Sequence, residues 1–439
     1  MAVATSQVTA AMLEKVDKRL PELYSLSQIT KKLVLDRMPA NKVSAWTAGN
    51  GAVLGFRMPV KQYAGGDLAV ASLDNAALPT GSMPTYQYMT IGYSPLFLSF
   101  LLPTGAIMAT ASPDQSIKNV FKDTVDGALK SFGDYEDSLF FTAGDGILAT
   151  GIGTGSAPSG TNPVYTLEPN FGPQRLALGQ LVDVWSNDGV TKRGTSLYVT
   201  AIDPVAKTAT LSGTVTGPTN ADNITVANLP GPLAAGQTRL GLYNYNSATT
   251  TGTTNGLSRS TVPELVTPNY NAGSSSLTPA GGLTLSDYII QRRDETAIGK
   301  MIGISHMAQR QAYFVTGDSI SEIMQPGGKA QIQNSTDRVP VNLQNESGTF
   351  MYAGVKHIIS KKANRSRIDW INPDLWKTVE LSPLGFFKQP DGKYMFEGRA
   401  SGGGVTTSTY FSMLSTTNVA TLDPGCAGYQ SNLTIPAGY

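Results

Sequence analysis

Cysteine and histidine are almost absent from this sequence. It holds one cysteine, Cys426, and two histidines, His306 and His357, in 439 residues. A lone cysteine can form no intrachain disulfide, and two histidines far apart in the chain are too few ligands for a zinc site. No G-x-S-x-G elbow, phosphate-binding loop or H-E-x-x-H motif occurs either. We therefore expect no catalytic residue, no cofactor-binding residue, no metal ligand and no enzymatic activity.

Charged residues are also scarce, at 15% of the chain against roughly 25% in an ordinary soluble protein. Lysine and arginine number 33 and aspartate and glutamate 32, so the net charge is +1. Such a chain has no global field that would attract nucleic acid or an anionic membrane. A weakly charged surface is unfavourable for a solitary monomer and suits a protein that is covered by copies of itself.

Long hydrophobic runs are missing as well. The longest candidate, residues 94–111, is interrupted by Pro103 and Gly105 and falls short of the ~20 apolar residues of a membrane span. The first twenty residues lack the basic region and apolar core of a secretory signal. We expect no membrane partner.

What the chain does have is 46 glycines and many small polar residues, a composition that favours strands and turns. Its length predicts two or three domains, at ~100–200 residues each. Residues 1–45 are helix-prone, with apolar residues at helical spacing from Leu13 to Val34. This arm has too little apolar surface to form a core alone.

The strongest helix signal begins at Ser112-Pro113-Asp114-Gln115, which offers an N-cap, a first-turn proline and a capping-box glutamine. Gly144 is well placed to end the helix. We predict a helix of ~28 residues, about 42 Å long, over about 113–143. Its apolar residues at steps of three and four are Ile117, Phe121, Val125, Ala128, Phe132, Tyr135 and Leu139.

An acidic cluster lies at the end of this helix, in "DYEDSLFFTAGDGILATGIGTG". Asp134, Glu136 and Asp137 fall mostly off the apolar positions, and Asp145 falls in the following turn. The acids lack the spacing of a calcium loop, and the glycines follow a helix instead of opening one after a strand. We interpret the cluster as a solvated face and a helix stop, in preference to a metal or phosphate site.

Residues 51–63 and 85–100 are typical strands joined by a small, polar connector. They predict a long two-stranded arm with a flexible tip at 66–82. A ribbon of two strands is marginal alone and needs a partner surface. The apolar residues expected to find that surface only in an assembly are Val53, Leu54, Phe56, Met58, Val60, Tyr86, Tyr88, Met89, Ile91 and Tyr93.

The rest of the chain divides by pattern. Short strands with a turn signal at Asn187-Asp188-Gly189 predict a small β-barrel or sandwich at 176–229. The Thr/Ser/Gly/Asn-rich residues up to about 282 are interpreted as extended loops. Residues 284–325 have a helical pattern, and residues 351–382 and 393–434 alternate between strands and turns.

One basic cluster, "KKANRSR", contains Lys361, Lys362, Arg365 and Arg367. Its first interpretation is a solvated loop. Ion pairing between subunits is the second, and contact with nucleic-acid phosphate is the third. The sequence does not determine which face carries these residues.

The order of these elements resembles that of tailed-bacteriophage major capsid proteins with the Hong Kong 97-type fold. "FGDYEDSLFFTAGDGILATGIG" is similar to the end of that family's spine helix, and "QRLALGQLVDVWSNDGV" with "VTAIDPVAKTATLSG" to the β-barrel inserted in some members. "RSRIDWINPDLWKTVELSP" and "NVATLDPGCAGYQSNLTIPAGY" resemble its closing strands and loop. The resemblance covers most of the chain, and its weight comes from the order of the motifs.

The resemblance implies an α+β fold with six parts. They are an N-terminal arm (1–50), an E-loop hairpin (51–95), a peripheral domain with the spine helix (96–175), an inserted β-barrel (176–230), an axial domain with extended loops (231–395) and C-terminal peripheral-domain strands (396–439).

The resemblance also implies a function and partners. The chain would assemble with itself into pentamers and hexamers of an icosahedral shell in the virion, built in the host bacterial cytoplasm. Further partners would be a separate scaffolding protein, a portal, decoration proteins, and packaged DNA held without sequence specificity. The alternative is a β-rich tail, fibre or adhesion protein that binds surface glycans, and an enzyme with an unrecognised site is a third hypothesis.

Overall fold

The computed structural model describes residues 36–39, 44–47, 53–63, 81–92, 94–103, 116–229, 236, 238–292, 295–313, 349–388, 396–399 and 405–439. The α-helices are α1 (Ser116–Phe140), α2 (Leu242–Tyr245) and α3 (Pro279–Arg292), and the 3-10 helices are Pro263–Leu265, Glu295–Lys300 and Pro373–Leu375. The strands are β1 (Asp36–Pro39), β2 (Ser44–Thr47), β3 (Val53–Tyr63), β4 (Thr85–Gly92), β5 (Ser94–Pro103), β6 (Ile147–Thr150), β7 (Val164–Thr166), β8 (Leu181–Trp185), β9 (Lys192–Asp203), β10 (Thr208–Leu211), β11 (Asn223–Val226), β12 (Thr253–Thr254), β13 (Leu257–Ser258), β14 (Asn269–Ser275), β15 (Ile302–Ser305), β16 (Thr349–Tyr352), β17 (Val355–Ile359), β18 (Ile368–Ile371), β19 (Trp376–Phe386), β20 (Phe396–Arg399), β21 (Val405–Thr421) and β22 (Ala427–Leu433).

Helix α1 lies inside the predicted range and ends three residues early, at Phe140. Gly144 and Gly146 follow with φ of 85° and 78°, a left-handed backbone that glycine adopts without strain. The predicted start at Pro113 lies outside the described residues. One face of α1 packs on the sheet that contains β5, and the shared core contains Val125, Leu129, Phe132, Leu384, Phe386, Phe411 and Met413.

That sheet runs in the order β1-β19-β21-β20, and β5 also pairs with β21. Strand β21 is 17 residues long and pairs along ten residues of β5, so it forms the backbone of the sheet. Strand β1 pairs in parallel with β19. The helix-prone interpretation of residues 1–45 is therefore wrong for Asp36–Pro39 and for Ser44 and Ala45 at the start of β2, which are in strands because partners elsewhere in the chain outweigh a weak local preference. The rest of that arm lies outside the described residues.

The predicted hairpin consists of β3 and β4, which pair antiparallel, with β2 on the other side of β3. The single strand expected over 85–100 is instead two strands, because β4 ends at Gly92 and β5 joins a different sheet. Met58, Val60, Met89 and Ile91 are buried in a core of this same chain. The expectation that these four would stay uncovered in one subunit is wrong. Most of the predicted tip, residues 66–80, lies outside the described residues.

A six-stranded sheet runs in the order β6-β11-β8-β9-β10-β7. Its two outer strands also meet, because Ile152 N donates to Thr166 O (2.9 Å) and Glu168 N donates to Thr150 O (2.9 Å). We call this closed sheet the barrel sheet. It holds the strands expected at 176–229, and it also takes β6 and β7 from the segment before them. Its interior has its own cluster of buried residues, among them Tyr165, Val182, Val184 and Ile224.

A third sheet, in the order β14-β22-β18-β15-β17-β16, carries α3 on one face. Leu285 and Ile289 of α3 pack there in one core with Tyr352 and Trp370. The continuous helical pattern expected over 284–325 is wrong in part, since β15 interrupts it before a helical turn at residues 307–313. Residues 314–325 lie outside the described chain. The loops expected up to 282 contain α2, the β12–β13 hairpin and β14.

Candidate functional site

The acidic cluster at the end of α1 divides into one buried residue and three partly exposed ones. Glu136 is buried, so the solvated-face interpretation is wrong for it. Among the buried positions of the helix, Val125, Leu129, Phe132, Glu136 and Leu139 form a stripe with steps of four, three, four and three. The sequence analysis chose Ala128 and Tyr135 for this stripe, although Leu129 was the stronger apolar residue. Glu136 lies inside the corrected stripe.

Glu136 is compensated by an arginine that the sequence analysis missed. The Oε1 atom of Glu136 lies 3.0 Å from Nη1 of Arg239, and both side chains are buried. Burial raises the pKa of the Glu136 carboxyl, while Arg239 and the hydroxyl of Thr417 act in the opposite direction. Removing one partner of such a pair leaves a buried charge unpaired, which costs more free energy of folding than the pair contributes. The pair joins the helix to the chain before α2 and to β21.

The other acids make contacts of a structural kind. Oδ1 of Asp145 accepts from Ile147 N (3.1 Å) in the turn, and burial raises the pKa of Asp145. Asp134 lies 3.5 Å from Nζ of Lys361. Among the described residues no group of three or more His, Cys, Asp or Glu side chains could hold a metal ion.

The basic cluster is mostly buried within the subunit, so the solvated-loop interpretation is wrong for three of its four residues. Lys362 and Arg365 are buried, and Arg367 is half-buried. Burial lowers the pKa of Lys362 to about 8, with Asp134 opposing the change. Lys361 alone is exposed.

The two arginines connect separate parts of the fold. Arg365 Nε donates to Oε1 of Gln174 (3.2 Å), and Arg367 Nε donates to Oδ1 of Asp369 (2.8 Å). The guanidinium of Arg367 also lies 3.7 Å from the ring centroid of Tyr429, a cation–π contact. These contacts use both arginines within one subunit.

The two histidines and the cysteine are core residues. Nε2 of His357 accepts from Nε1 of Trp370 (2.9 Å), and burial lowers the pKa of His357 to about 3. Nδ1 of His306 accepts from Ala308 N (3.1 Å), and burial, with Arg365 nearby, lowers the pKa of His306 to about 4. Cys426 is buried.

Sequence reasoning also missed the acids that organise the barrel sheet. Asp183 is buried and accepts from Ser196 N (2.8 Å) and Asn228 N (2.7 Å), and its Oδ2 lies 2.8 Å from Nζ of Lys192. Ser196 and Asn228 both have positive φ, at 54° and 59°. A carboxylate thus holds one residue of β9 and one residue of the turn after β11 in an uncommon backbone conformation. The available signal was an acid at the centre of the apolar strand "LVDVW".

The surface best suited to association is the outer face of the β3–β4 hairpin. Side chains alternate across a strand, so burying Met58, Val60, Met89 and Ile91 turns Arg57, Tyr86 and Tyr88 outward. Tyr88 is 54% exposed and Met83, just before β4, is 86% exposed. Tyrosines combine a large apolar body with a polar tip, and interfaces are enriched in them.

Among the described residues no helix is long and apolar enough to cross a membrane.

Comparison with known proteins gives matches in structure alone. No family model matches the sequence, and no curated protein matches it. The capsid of cyanophage A-1(L) is similar over 93% of this chain and 94% of that chain, with 11% identity and a TM-score of 0.50. The capsid of a native GTA particle (9% identity, 94% and 91% covered, TM-score 0.44) and that of Mycobacterium phage Cain (7%, 94% and 92%, 0.42) also match. The cyanophage likeness confirms the predicted α+β, Hong Kong 97-type capsid fold for this chain.

Proposed function

We propose that this chain is the major capsid protein of a tailed bacteriophage, and that its copies form an icosahedral shell around a double-stranded DNA genome. The observation that carries the proposal is the capsid fold shared with the cyanophage protein over 93% of the chain. The subunit's role is then structural and non-enzymatic, and its place is the virion. Assembly in the host bacterial cytoplasm is part of the same proposal.

The parts of the subunit take their roles from this fold. Residues 51–95 are the E-loop, α1 is the spine helix of a peripheral domain at 96–175, and residues 396–439 supply its closing strands. Residues 176–230 belong to an inserted barrel, 231–395 to the axial domain and 1–50 to an arm. The outer hairpin face, with Tyr86 and Tyr88, supports the E-loop role because it leaves apolar surface for a neighbouring copy.

The partners in this proposal are first of all other copies of the chain, as pentamers and hexamers. A separate scaffolding protein, a portal, decoration proteins and packaged DNA are the further partners. The low charge of the chain supports binding of DNA without sequence specificity, by proximity inside a shell and not by a basic groove.

Negative-stain imaging of the purified full chain, alone and with co-expressed phage proteins, tests the function. We expect closed shells or capsomer rings. Rods or trimers would favour the tail, fibre or adhesion alternative, and glycan-array binding would then identify its ligand. A chain that stays monomeric at high concentration in both preparations would contradict the capsid proposal.

A further inference from the structure

Strand β4 of the hairpin has β3 on one side and a turn from a distant part of the chain on the other. The backbone N of Thr90 donates to the carbonyl oxygen of Asn255 (3.0 Å), and Oγ1 of Thr90 donates to the same oxygen (3.2 Å). An outer strand presents its N–H and C=O groups at every second residue. Thr90 is one such position, and its partner, Asn255, lies 165 residues away in sequence.

The turn that reaches Thr90 is a tight two-residue turn. Asn255 and Gly256 join β12 to β13 with φ of 50° and 85°, as in the two-residue hairpin turns that Asn-Gly sequences prefer. A Cβ on Gly256 would lie 3.1 Å from Oγ1 of Thr90, so the close approach and the positive φ both favour glycine.

The side chain of Asn255 is itself held from behind. Its Nδ2 donates to the hydroxyl of Tyr245 (2.9 Å), and its Oδ1 accepts from Nδ2 of Asn244 (3.3 Å). The hydroxyl of Tyr245 in turn donates to the carbonyl oxygen of Val419 in β21 (2.8 Å). A continuous chain of hydrogen bonds therefore runs from the hairpin through the turn to the sheet that contains β5 and β21.

A second asparagine, Asn418, binds the same edge of β4 two residues after Thr90. Nδ2 of Asn418 donates to the carbonyl oxygen of Gly92 (2.7 Å). Its Oδ1 accepts from Leu240 N (2.8 Å) and Val419 N (2.9 Å), so the amide is fixed at both ends. Residues 90 and 92 point their backbone groups to the same side of the strand. The two contacts therefore hold one edge at its base.

We propose that Asn255 and Asn418 are positioning residues that set the direction in which the hairpin leaves the subunit. The inference rests on the proposed capsid function, in which that direction decides where the hairpin meets a neighbouring copy. Thr85 lies seven residues from Gly92, or about 24 Å at ~3.4 Å per residue. A rotation of about 10° at the base would then move that end by about 4 Å, which is enough to misplace a packed interface. Subunits that lose the tether should fold but assemble into particles of uneven curvature.

The test compares three substitutions in the full chain. Asn255→Gly keeps the positive φ of the turn and removes the bonds to Tyr245 and Asn244. Thr90→Val removes one donor to the turn and keeps the shape of the side chain. Thr150→Val is the matched control, since it removes a similar hydroxyl bond, to Oδ1 of Asn223 (3.0 Å), in the barrel sheet.

Two measurements are made on each protein. In unassembled subunits we expect hydrogen exchange at the Thr90 amide to rise roughly fivefold in Asn255→Gly and Thr90→Val, the change expected for about one hydrogen bond, and not in Thr150→Val. In assembly reactions we expect a broadened particle diameter for the first two substitutions and a wild-type diameter for the control.

A wild-type rate of hydrogen exchange at residue 90 in both Asn255→Gly and Thr90→Val would show that the turn does not tether the hairpin. Faster exchange at Thr90 together with particles of wild-type diameter would overturn the role of the tether in assembly. Uneven particles from Thr150→Val, at a loss of subunit stability equal to that of the other two variants, would overturn it as well. If the wild-type chain formed no particles at all, the capsid proposal would fail, and the exchange measurement would still decide whether the turn holds the hairpin.

Discussion

The barrel sheet and the hairpin sheet are both small and antiparallel, but they solve the problem of burial in different ways. The barrel sheet closes on itself through the contacts of Gly151 with Leu167, and its interior is filled mainly by its own residues. The hairpin buries one face on core residues from elsewhere in the chain, among them Phe140 and Tyr245, and leaves Tyr86 and Tyr88 outside.

This difference predicts which part can stand alone and which part depends on others. A sheet whose edges are paired and whose core is internal has little left to gain from a partner. A ribbon whose exposed face carries tyrosine rings still has apolar surface to remove from water, at ~25 cal/mol per Å². The barrel sheet is thus suited to independent folding and the hairpin to association, and four predictions follow that comparison in order of their effect on subunit folding.

The largest effect concerns fragments of the barrel sheet. Residues 144–229 contain all six strands, whereas residues 176–229 lack β6 and β7 and expose both remaining edges. We expect the longer fragment to show a β-type circular dichroism spectrum and a cooperative melt, and the shorter one to be unfolded. A disordered spectrum from residues 144–229 would show that the sheet needs the rest of the subunit, including Leu139 of α1, which packs in its core.

The second effect concerns the buried acid of that sheet. Asp183→Ala removes the acceptor for the backbone amides of Ser196 and Asn228 and the partner of Lys192, and we expect it to lower the free energy of unfolding by about 3 kcal/mol. The control is Asp203→Ala, whose exposed carboxylate also accepts two amides, from Val205 N (2.8 Å) and Ala206 N (2.9 Å). Water can replace those bonds, so the control should cost about 1 kcal/mol or less. Equal losses in urea denaturation would mean that burial of Asp183 is not what makes it important.

The third effect is a difference in the pH dependence of stability between the barrel sheet and the rest of the subunit. His306 and His357 have folded-state pKa values of about 4 and about 3, below the ordinary value of 6.5. The unfolded chain therefore binds protons first, and stability falls as pH drops below about 6.5 until the folded-state values are reached. At pH 5 the loss should be about 2 kcal/mol for each histidine.

The control for this loss is built into the sequence. Residues 147–226 contain no histidine, so a folded barrel fragment should lack this component of the pH dependence between 6.5 and 5. In the full chain, His357→Phe should remove about half of it, although Nε1 of Trp370 then loses its acceptor and stability at pH 7.5 also falls. An unchanged pH slope in His357→Phe, measured by urea denaturation, would contradict this assignment.

How much the sequence could predict differs between the same two regions. The alternation and the Asn187-Asp188-Gly189 turn located the strands β8 to β11, and Gly189 has the positive φ that this turn requires. Strands β6 and β7 are short and separated by a Gly-rich stretch, and only their pairing across the closed sheet identifies them. For the hairpin, the strands were predictable from their composition, but the covered face was not, because its partners lie as far away as β21.

The charged residues show the same limit. Glu136 and Lys362 look solvated in sequence because acids and lysines usually are, and their burial depends on partners more than a hundred residues away. A closer reading of the helical period would have placed Glu136 in the buried stripe with Leu129. The turn at Asn255-Gly256 was likewise visible as a hairpin signal and was passed over as loop. Its contact with Thr90, however, is a property of the tertiary fold alone.

The last and smallest effect on subunit folding concerns two exposed tyrosines, one in each region. Tyr88 in the hairpin and Tyr198 in the barrel sheet are both 54% exposed. Tyr88→Thr and Tyr198→Thr each keep a residue that favours strands, so both should change the free energy of unfolding by less than about 1 kcal/mol. The comparison predicts that only Tyr88→Thr lowers the yield of shells, because under the proposed function a neighbouring copy covers the hairpin face, and a well-packed tyrosine can contribute about 2 kcal/mol to an interface. Sedimentation and negative-stain imaging at matched protein concentration measure the yield. Equal yields from both variants would show that the outer hairpin face makes no essential contact. A loss confined to Tyr198→Thr would move the assembly surface to the barrel sheet and reverse the comparison.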